Sequence, residues 1–365
     1  MSIIRLKKKD LKKEREERKL RKKKWKEERL IRAMEKKLKN EQMQEEKQEN
    51  SQTDDKSEEI VNEAGCNYTV SIALPGSILD NAQSYELRTY LAGQIARAAV
   101  VFNINEIIIF DENGNGDNAV EGDFNGIRKK GEANIQLGRI LQYLECPQYL
   151  RKFLFPKHQD LQYAGLLNPL DCPHHMRADE ESLYREGLVL NKPIKAGRGS
   201  LVNVGLKKEV EVDKVVPHGM RVTVKLKNLG TEKLKGKIVS YSTPWKEDGI
   251  YWGYTVRLAS CLSAVFAECP FDGEYDAIIG TSERGTNIDD FQMKKFKHAL
   301  VVFGGVKGLE ASLDADDNLQ IDDPKYLFAH YLNTCPNQGS RTIRTEEAIL
   351  ITMSALRPKI EAALK

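Results

Sequence analysis

Three loops in the C-terminal quarter of the chain are rich in Gly, Asn, Thr and Gln: residues 280–285, 303–308 and 333–342. The first two each follow a short apolar run with β-branched residues, which is typical of a buried parallel strand. Parallel sheets bind ligands at the carboxyl ends of their strands. Glycine lets the backbone approach a ligand closely, and the uncharged polar side chains supply hydrogen bonds. The pattern therefore predicts a site for a neutral, planar ligand such as a nucleoside.

In these loops the chain resembles the cofactor-binding knot of SPOUT-class RNA methyltransferases. It is most similar to the eukaryotic branch that carries an inserted β-barrel and is linked in animals to the spindle and centromere. Residues 70–78, 251–257 and 343–349 support the resemblance, which covers the chain from about residue 65 to the C-terminus. It implies methyl transfer from S-adenosyl-L-methionine to RNA, with a base nitrogen of ribosomal RNA as the substrate. It also implies a homodimer with active sites at the interface, formed by the closing helix and the helix at 87–102.

The resemblance places S-adenosylmethionine across the three loops. Paired glycines would let the backbone approach the cofactor, an Asn-Thr pair would contact its adenosine, and an arginine would hold its carboxylate or an RNA phosphate. The implied cofactor-binding residues are Arg284, Gly304, Gly305, Asn333, Thr334, Gln338 and Gly339. Glu283 and Glu310 are the carboxylates nearest to the loops in sequence, and each is either a proton acceptor or a surface residue. The sequence assigns no catalytic residue.

Alternating strands and helices in the remaining sequence predict an α/β fold. A strand at 68–74, an amphipathic helix at 87–102 and a strand at 106–110 form a βαβ unit, which implies a parallel sheet. Residues 132–186 have a largely helical pattern. Residues 345–364 are predicted to form a closing helix, because their apolar side chains recur on one side.

The predicted domain organisation follows from a change of pattern along the chain. Between residues 201 and 258, short alternating strands separated by Gly, Asn and Pro turns predict a small barrel. The expected fold class is therefore a SPOUT methyltransferase domain at 65–200 and 259–365, interrupted by an OB-like β-barrel at 201–258 and preceded by a tail at 1–64. The trefoil knot of this domain is implied by the resemblance alone, because knots are normally excluded.

The net charge of +3 conceals a strong asymmetry. Residues 1–40 carry 19 Lys and Arg against 7 Asp and Glu, and residues 41–64 carry 2 against 9. One reading of the basic segment is a solvated, partly helical tail. The other is a nuclear or nucleolar targeting signal that also grips RNA phosphates through the lysine and arginine clusters at 7–9 and 21–24. The expected localisation is the nucleus and nucleolus, with spindle and centromere association in mitosis implied by the resemblance.

One face of the clearest barrel strand is basic, because Arg221, Lys225 and Lys227 recur with a period of two. Basic barrel faces with exposed aromatic rings commonly hold RNA, and the alternative is a solvated sheet face. The aromatic residues nearby in sequence are Trp245, Tyr251 and Trp252. Arg97, in the first helix, is either an RNA-phosphate contact near the active site or a surface or dimer-interface arginine. We predict RNA binding by Arg97, Arg221, Lys225 and Lys227.

Several other sequence features suggest functions that their context does not favour. Residues 114–119 fit G-x-G-x-x-A, but no helix follows at once, so a nucleotide-dependent oxidoreductase is not favoured. Cys172, His174 and His175 lack a second ligand pair, which predicts a turn with exposed imidazoles and no metal site. The scattered cysteines indicate reduced thiols in a cytosolic or nuclear protein. No apolar stretch reaches the roughly 20 residues that span a bilayer, so no membrane association is expected.

A second function class stays open. An RNA-binding or scaffold protein of the spindle or centromere, with a vestigial or regulatory cofactor pocket, would also need a basic tail and a basic barrel face. That hypothesis predicts tight RNA binding without turnover, whereas the enzyme hypothesis predicts methyl transfer that depends on the loop residues.

Overall fold

The computed structural model describes residues 65–112, 132–194, 197–227, 234–319, 321 and 323–365. These residues belong to one unit, Asn62–Lys365. The predicted basic tail at 1–64 and the glycine-rich segment at 114–119 lie outside the described residues. Among the described helices, none combines the length and apolar character needed to span a membrane.

The elements are numbered here in chain order. The strands are β1 (Thr69–Pro75), β2 (Glu106–Phe110), β3 (Tyr184–Val189), β4 (Leu201–Asn203), β5 (Val210–Val212), β6 (Arg221–Lys227), β7 (Lys235–Val239), β8 (Thr255–Ala259), β9 (Ala277–Asn287), β10 (His298–Val302) and β11 (His330–Asn333). The α-helices are α1 (Tyr85–Val101), α2 (Glu132–Glu145), α3 (Gln148–Leu154), α4 (Thr243–Asp248), α5 (Leu262–Ala267), α6 (Gly308–Asp314) and α7 (Thr345–Leu364). Short 3-10 helices lie at Gly76–Asn81, Gln159–Leu161, Ala164–Leu166, Ile288–Asp290 and Pro324–Tyr326.

Six of the described strands form one sheet in the order β11-β9-β10-β1-β2-β8. Each neighbouring pair in it is parallel. β1, α1 and β2 form the predicted βαβ unit, with Ser71 paired to Glu106. Because the strands run in one direction, their carboxyl ends share one edge of the sheet. The predicted α/β fold with a parallel sheet is confirmed.

Apolar residues on the two faces of the sheet pack into separate cores. In β2, Ile107 and Ile109 pack with α1, α2 and α7, whereas Ile108 and Phe110 pack with α5 and α6. A strand buried on both faces is apolar throughout, which explains why β2 is a continuous apolar run in the sequence. The apolar face predicted for the helix at 87–102 is wrong at its first residue, because Leu87 is 53% exposed on α1.

The closing helix α7 is present as predicted. At its first turn the backbone N–H of Arg344 donates a hydrogen bond to the Glu347 carboxylate (3.0 Å), which satisfies a donor at the helix start. Ile349, Met353 and Leu356 recur at spacings of three and four and are buried against the sheet. The helix therefore covers the same core as α1 and α2.

Five described strands close into a barrel in the order β3-β4-β5-β7-β6. β5 and β7 are parallel, and the other paired strands are antiparallel. β-branched residues such as Val202, Val210 and Val224 fill its interior. The predicted barrel, inserted between strands of the parallel sheet, is confirmed.

The barrel differs from the predicted range 201–258 at both ends. Its strand β3 precedes that range, whereas β8, which begins inside the range, pairs with β2 in the parallel sheet. The apolar pattern misses β3 because Arg185 and Glu186 interrupt it, although both are buried. The Arg185 guanidinium donates to the carbonyl oxygen of Arg177 (2.8 Å), so its charge is solvated by the protein.

Candidate functional site

The three loops meet at the carboxyl edge of the parallel sheet. Residues 303–308 follow β10, as predicted, and residues 334–342 follow β11. Residues 281–285 instead form an excursion within β9, because the pairing with β11 passes from Gly280 directly to Thr286. The prediction that this loop ends a strand is therefore wrong. Since β9 lies between β10 and β11, the three segments are neighbours.

Asn333 ties the excursion to the third loop. Its side-chain Nδ2 donates a hydrogen bond to the carbonyl oxygen of Glu283 (3.0 Å), and its Oδ1 accepts one from the backbone N–H of Cys335 (3.1 Å). Gly285 lies against the same strand, because a Cβ there would be 2.3 Å from the carbonyl carbon of Leu332. Asn333 therefore holds two walls of the candidate pocket together through its side chain.

Helix α7 supports the second and third loops. The Thr345 hydroxyl donates to the carbonyl oxygen of Gly304 (3.0 Å). The hydroxyls of Thr334 and Thr352 are hydrogen-bonded at 2.7 Å, and Thr352 is fully buried. The side chain of Thr334 thus bonds inside the protein, to helix α7.

Close packing within the protein limits the space at both glycines of the second loop. A Cβ at Gly304 would lie 2.7 Å from the carbonyl carbon of Gly308, and one at Gly305 would lie 2.3 Å from Oε2 of Glu112. The family resemblance implies that these glycines allow close approach of a cofactor. The structure adds a second reason at Gly304, where backbone atoms leave no room for a side chain, whereas at Gly305 a Cβ would meet the end of the Glu112 side chain.

Arg284, Gln338 and Gly339 lie on the rim of the loops. The Arg284 guanidinium pairs with Glu310 (Nη1–Oε1, 3.2 Å), yet its side chain is 74% exposed. Gln338 donates to the carbonyl oxygen of Ser340 (3.0 Å). Around Gly339, no described atom lies within 4 Å of the position that a Cβ would take. This rim therefore leaves space and donors for a ligand.

Two residues near this edge, Ser77 and Glu112, were not predicted from the sequence. Ser77 follows β1 and Glu112 follows β2, and the Ser77 hydroxyl donates a short hydrogen bond to Oε1 of Glu112. Oε2 of Glu112 faces Gly305 of the second loop. The signal that could have found this carboxylate is its place two residues after a buried strand, at the edge where parallel sheets bind ligands.

The predicted RNA-binding residues differ in their exposure. Arg97 is half-buried and donates a hydrogen bond to the carbonyl oxygen of Leu170. Arg221 pairs with carboxylates inside the protein, and Lys225 pairs with a carboxylate of α4. Lys227 is exposed. RNA binding by these four residues stays a prediction.

The Arg221 guanidinium joins the barrel to the end of α2. It donates to both oxygens of Glu145 (2.7 and 2.9 Å) and to Glu186 (2.7 Å). Burial opposes the ionisation of Glu145, but Arg221 and His174 outweigh it and lower the pKa of this carboxyl to about 2. Trp252 completes the network by donating its indole N–H to Glu186 (2.7 Å). These contacts engage Arg221, the first basic residue of the predicted face of β6, in ion pairs within the protein.

The aromatic residues beside the barrel are buried. Trp245, Tyr251 and Trp252 are each 6% exposed. The indole N–H of Trp245 donates to the carbonyl oxygen of Tyr68 and the hydroxyl of Tyr251 donates to that of Ile104, both at 2.7 Å. The expectation of exposed rings is wrong, because each ring is buried while its polar atom has a partner, which is a backbone carbonyl for Trp245 and Tyr251 and the Glu186 carboxylate for Trp252.

The second half of the basic face forms a lysine ladder on β6 and β7. Lys227 lies opposite Lys235, and Lys225 lies opposite Lys237. Lys227, Lys235 and Lys237 are exposed, and within the described residues they have no carboxylate partner. Like charges placed directly opposite each other destabilise a sheet. The ladder is therefore a surface where an anion would relieve repulsion.

Cys172, His174 and His175 converge at the end of α2, with their potential ligand atoms within 4.8 Å of one another. Nε2 of each imidazole bonds to the carbonyl oxygen of Glu145 (2.8 and 2.6 Å), which satisfies an acceptor at the helix terminus. Burial lowers the pKa of His175 to about 4 and raises that of the Cys172 thiol to about 12. His174 is 1% exposed. The prediction of exposed imidazoles is wrong, because they cap a helix.

The fold and site define an α/β protein with candidate ligand loops at the carboxyl edge of a parallel sheet and a barrel inserted between two strands of that sheet. Residues 69–356, more than half of the chain, match a family described as "Putative RNA methyltransferase", and the chain belongs to this family. The 28S rRNA (uridine-N(3))-methyltransferases of Mus musculus and Homo sapiens are each 64% identical to it over 294 residues. The match covers 80% of this chain and 76% and 78% of those proteins.

More distant relatives extend the comparison. The Drosophila melanogaster protein of the same name is 50% identical over 304 residues, which is 80% of this chain and 62% of that protein. A solved structure, the SpoU methyltransferase AviRb from Streptomyces viridochromogenes in complex with AdoMet, aligns over 84% of this chain and 63% of its own with 9% identity. Its TM-score of 0.30 is too low to carry an argument.

Proposed function

We propose that this chain transfers a methyl group from S-adenosylmethionine to N3 of a uridine in the RNA of the large ribosomal subunit. The observation that carries the proposal is the 64% identity to two 28S rRNA (uridine-N(3))-methyltransferases over 294 residues. The family match at 69–356 spans the three loops and the barrel, so it covers both the candidate ligand pocket and the lysine ladder.

The chemistry of the loops suits S-adenosylmethionine, which supplies an electrophilic methyl group when bound. Arg284 uses one N–H on Glu310, and its remaining donors and high exposure suit the cofactor carboxylate. The space around Gly339 and the backbone groups of the second loop suit an uncharged adenosine. The proposed cofactor-binding residues are Arg284, Gly304, Gly305, Asn333, Thr334, Gln338 and Gly339.

The test of this function is methyl transfer to ribosomal RNA from cells that lack the protein. The purified chain and labelled S-adenosylmethionine should yield 3-methyluridine in the digested RNA. Asn333→Ala should abolish most of the transfer, because Asn333 bonds two walls of the pocket. Asn191→Ala, which changes an exposed asparagine between β3 and β4 of the barrel, is the matched control and should retain it. RNA binding without any transfer would contradict the proposal and favour the scaffold alternative.

The lysine ladder should contribute to RNA affinity through phosphate contacts. We expect Lys227→Gln with Lys235→Gln to weaken RNA binding and to reduce the slope of log K against log salt by about 1.4–1.8, since each phosphate contact contributes about 0.7–0.9. Filter binding at several salt concentrations measures this slope. The matched control, Lys152→Gln with Lys157→Gln, removes two exposed lysines elsewhere. Equal slopes in the two double variants would remove the ladder from the RNA surface.

The proposal also includes a homodimer, a trefoil knot and a nuclear or nucleolar protein that associates with the spindle and centromere, all of which the family resemblance implies. Exposed apolar side chains support an interface on α1 and α7, which pack against each other. Leu87, Tyr90 and Val101 on α1 are 53%, 48% and 55% exposed, and Leu350 on α7 is 44% exposed. Such a patch is suited to burial against a second copy.

A further inference from the structure

Glu112 lies beside the proposed pocket with one carboxylate oxygen engaged and the other not. It follows β2 at the carboxyl edge of the sheet, and its Oε1 accepts the hydrogen bond from Ser77. Within the described residues, Oε2 is buried and has no hydrogen-bond partner. A Cβ on Gly305 would be 2.3 Å from Oε2, so this oxygen lies against the backbone of the second loop.

Burying a carboxylate oxygen without a hydrogen-bond partner lowers the stability of the protein, because the oxygen loses its hydrogen bonds to water and gains none in return. Such groups are rare in folded proteins, and they recur where a ligand or a reaction uses them. The unsatisfied oxygen beside Gly305 therefore calls for an N–H or O–H donor from a bound molecule. The proposed substrate offers such a donor at its reacting atom, since N3 of uridine carries a proton that methylation must remove.

We propose that Glu112 is the general base that takes the N3 proton of the target uridine; this rests on the proposed function. Oε2 accepts the proton while the nitrogen electron pair forms the N3–CH3 bond. The S–CH3 bond breaks, and its electron pair stays on sulfur as the neutral thioether. Glu112 then returns the proton to water. Ser77 is a positioning residue, because its hydrogen bond to Oε1 orients the carboxylate.

The other carboxylates near the loops are less suited to this role. Glu310 already pairs with Arg284, and Glu283 is exposed. An exposed or paired carboxylate has its oxygens satisfied by water or by a cation, so it lacks the free, desolvated acceptor that Glu112 presents. The geometry thus separates Glu112 from the two carboxylates that sequence proximity suggests.

The experiment compares Glu112→Gln with the matched control Glu181→Gln, an exposed residue outside the site. In single-turnover methyl transfer, E112Q should be slower by about 10²–10⁴-fold, the usual contribution of a positioned base. Its affinity for S-adenosylmethionine, measured by calorimetry, should be unchanged. Its residual rate should rise with pH more steeply than the wild-type rate, because N3 must then ionise without help. An unchanged rate with an unchanged pH profile would overturn the assignment.

A binding measurement tests the same contact without catalysis. Wild-type protein should bind RNA with an unmodified target uridine at least about tenfold more tightly than RNA with N3-methyluridine, because the methylated base leaves Oε2 unpaired. E112Q should lose this preference, and a retained preference would contradict the proposal. If E112Q loses cofactor affinity, Glu112→Asp keeps the carboxylate and should recover part of the rate.

The two proposals fail in distinguishable ways. If the wild-type chain makes no 3-methyluridine, the proposed function fails. If the wild-type chain makes it and E112Q makes it at the same rate, only the role of Glu112 fails. Ser77→Ala adds a graded test, since loss of positioning should lower the transfer rate less than loss of the carboxylate does.

Discussion

Replacing Arg221 with methionine is expected to lower the free energy of unfolding by about 3–5 kcal/mol, because it leaves two buried carboxylates without their cation. Glu145 and Glu186 are 8% and 3% exposed, and Arg221 donates to both. Methionine conserves most of the buried volume, so the loss reflects charge more than packing. Chemical denaturation followed by tryptophan fluorescence measures the change.

The matched control for this prediction is Arg198→Met, which removes another ion pair of the barrel. Arg198 lies 3.4 Å from Glu211 and its side chain is 56% exposed, so its loss should cost less than about 1 kcal/mol. Adding Glu145→Gln to the Arg221 variant should recover part of the stability, since it neutralises one of the two unpaired buried carboxylates. Equal effects of the two arginine variants would show that the buried network does not stabilise the barrel. Normal stability with weakened RNA binding would instead support the prediction that Arg221 contacts RNA.

The parallel sheet could be predicted from the sequence because its strands are buried on both faces. Ile107 to Phe110 read as a continuous apolar run, and that run is the central signal of a parallel strand. β3 gave no such signal, because its charged Arg185 and Glu186 are buried: Arg185 donates to a carbonyl of the preceding loop, and Glu186 pairs with Arg221 of β6. A local pattern carries no information about which charges will find such partners.

Local sequence also determined which parts of the candidate site could be predicted. The Gly- and Asn-rich loops could be predicted because their backbone conformations and hydrogen bonds require particular residue types, which the local sequence shows directly. Glu112 was not, since its significance comes from Ser77 and Gly305, which the sheet brings to it from other strands. The basic face of β6 shows the converse error. Its period of two was correct, yet the contact of the barrel with α2 engaged Arg221 in ion pairs and left Lys227 exposed.

Replacing Gly285 with alanine is expected to weaken the binding of S-adenosylmethionine by about 10–100-fold. The added Cβ would lie 2.3 Å from the carbonyl carbon of Leu332 and 2.6 Å from the backbone nitrogen of Asn333. Both are backbone atoms of β11, so neither can rotate away, and the excursion of β9 must shift. Overpacking of this kind costs about 1–3 kcal/mol, and each 1.4 kcal/mol is tenfold in affinity.

The displaced excursion would also stretch the hydrogen bond from Asn333 to Glu283, so the pocket should lose a wall while the distant barrel keeps its fold. Titration calorimetry with S-adenosylmethionine measures the loss. Gly165→Ala is the matched control, because no described atom lies within 4 Å of a Cβ at that position and it is far from the loops in sequence. Should both variants bind with wild-type affinity, the junction of β9 and β11 would not form the pocket. A loss confined to Gly285→Ala would locate the cofactor where the first and third loops meet.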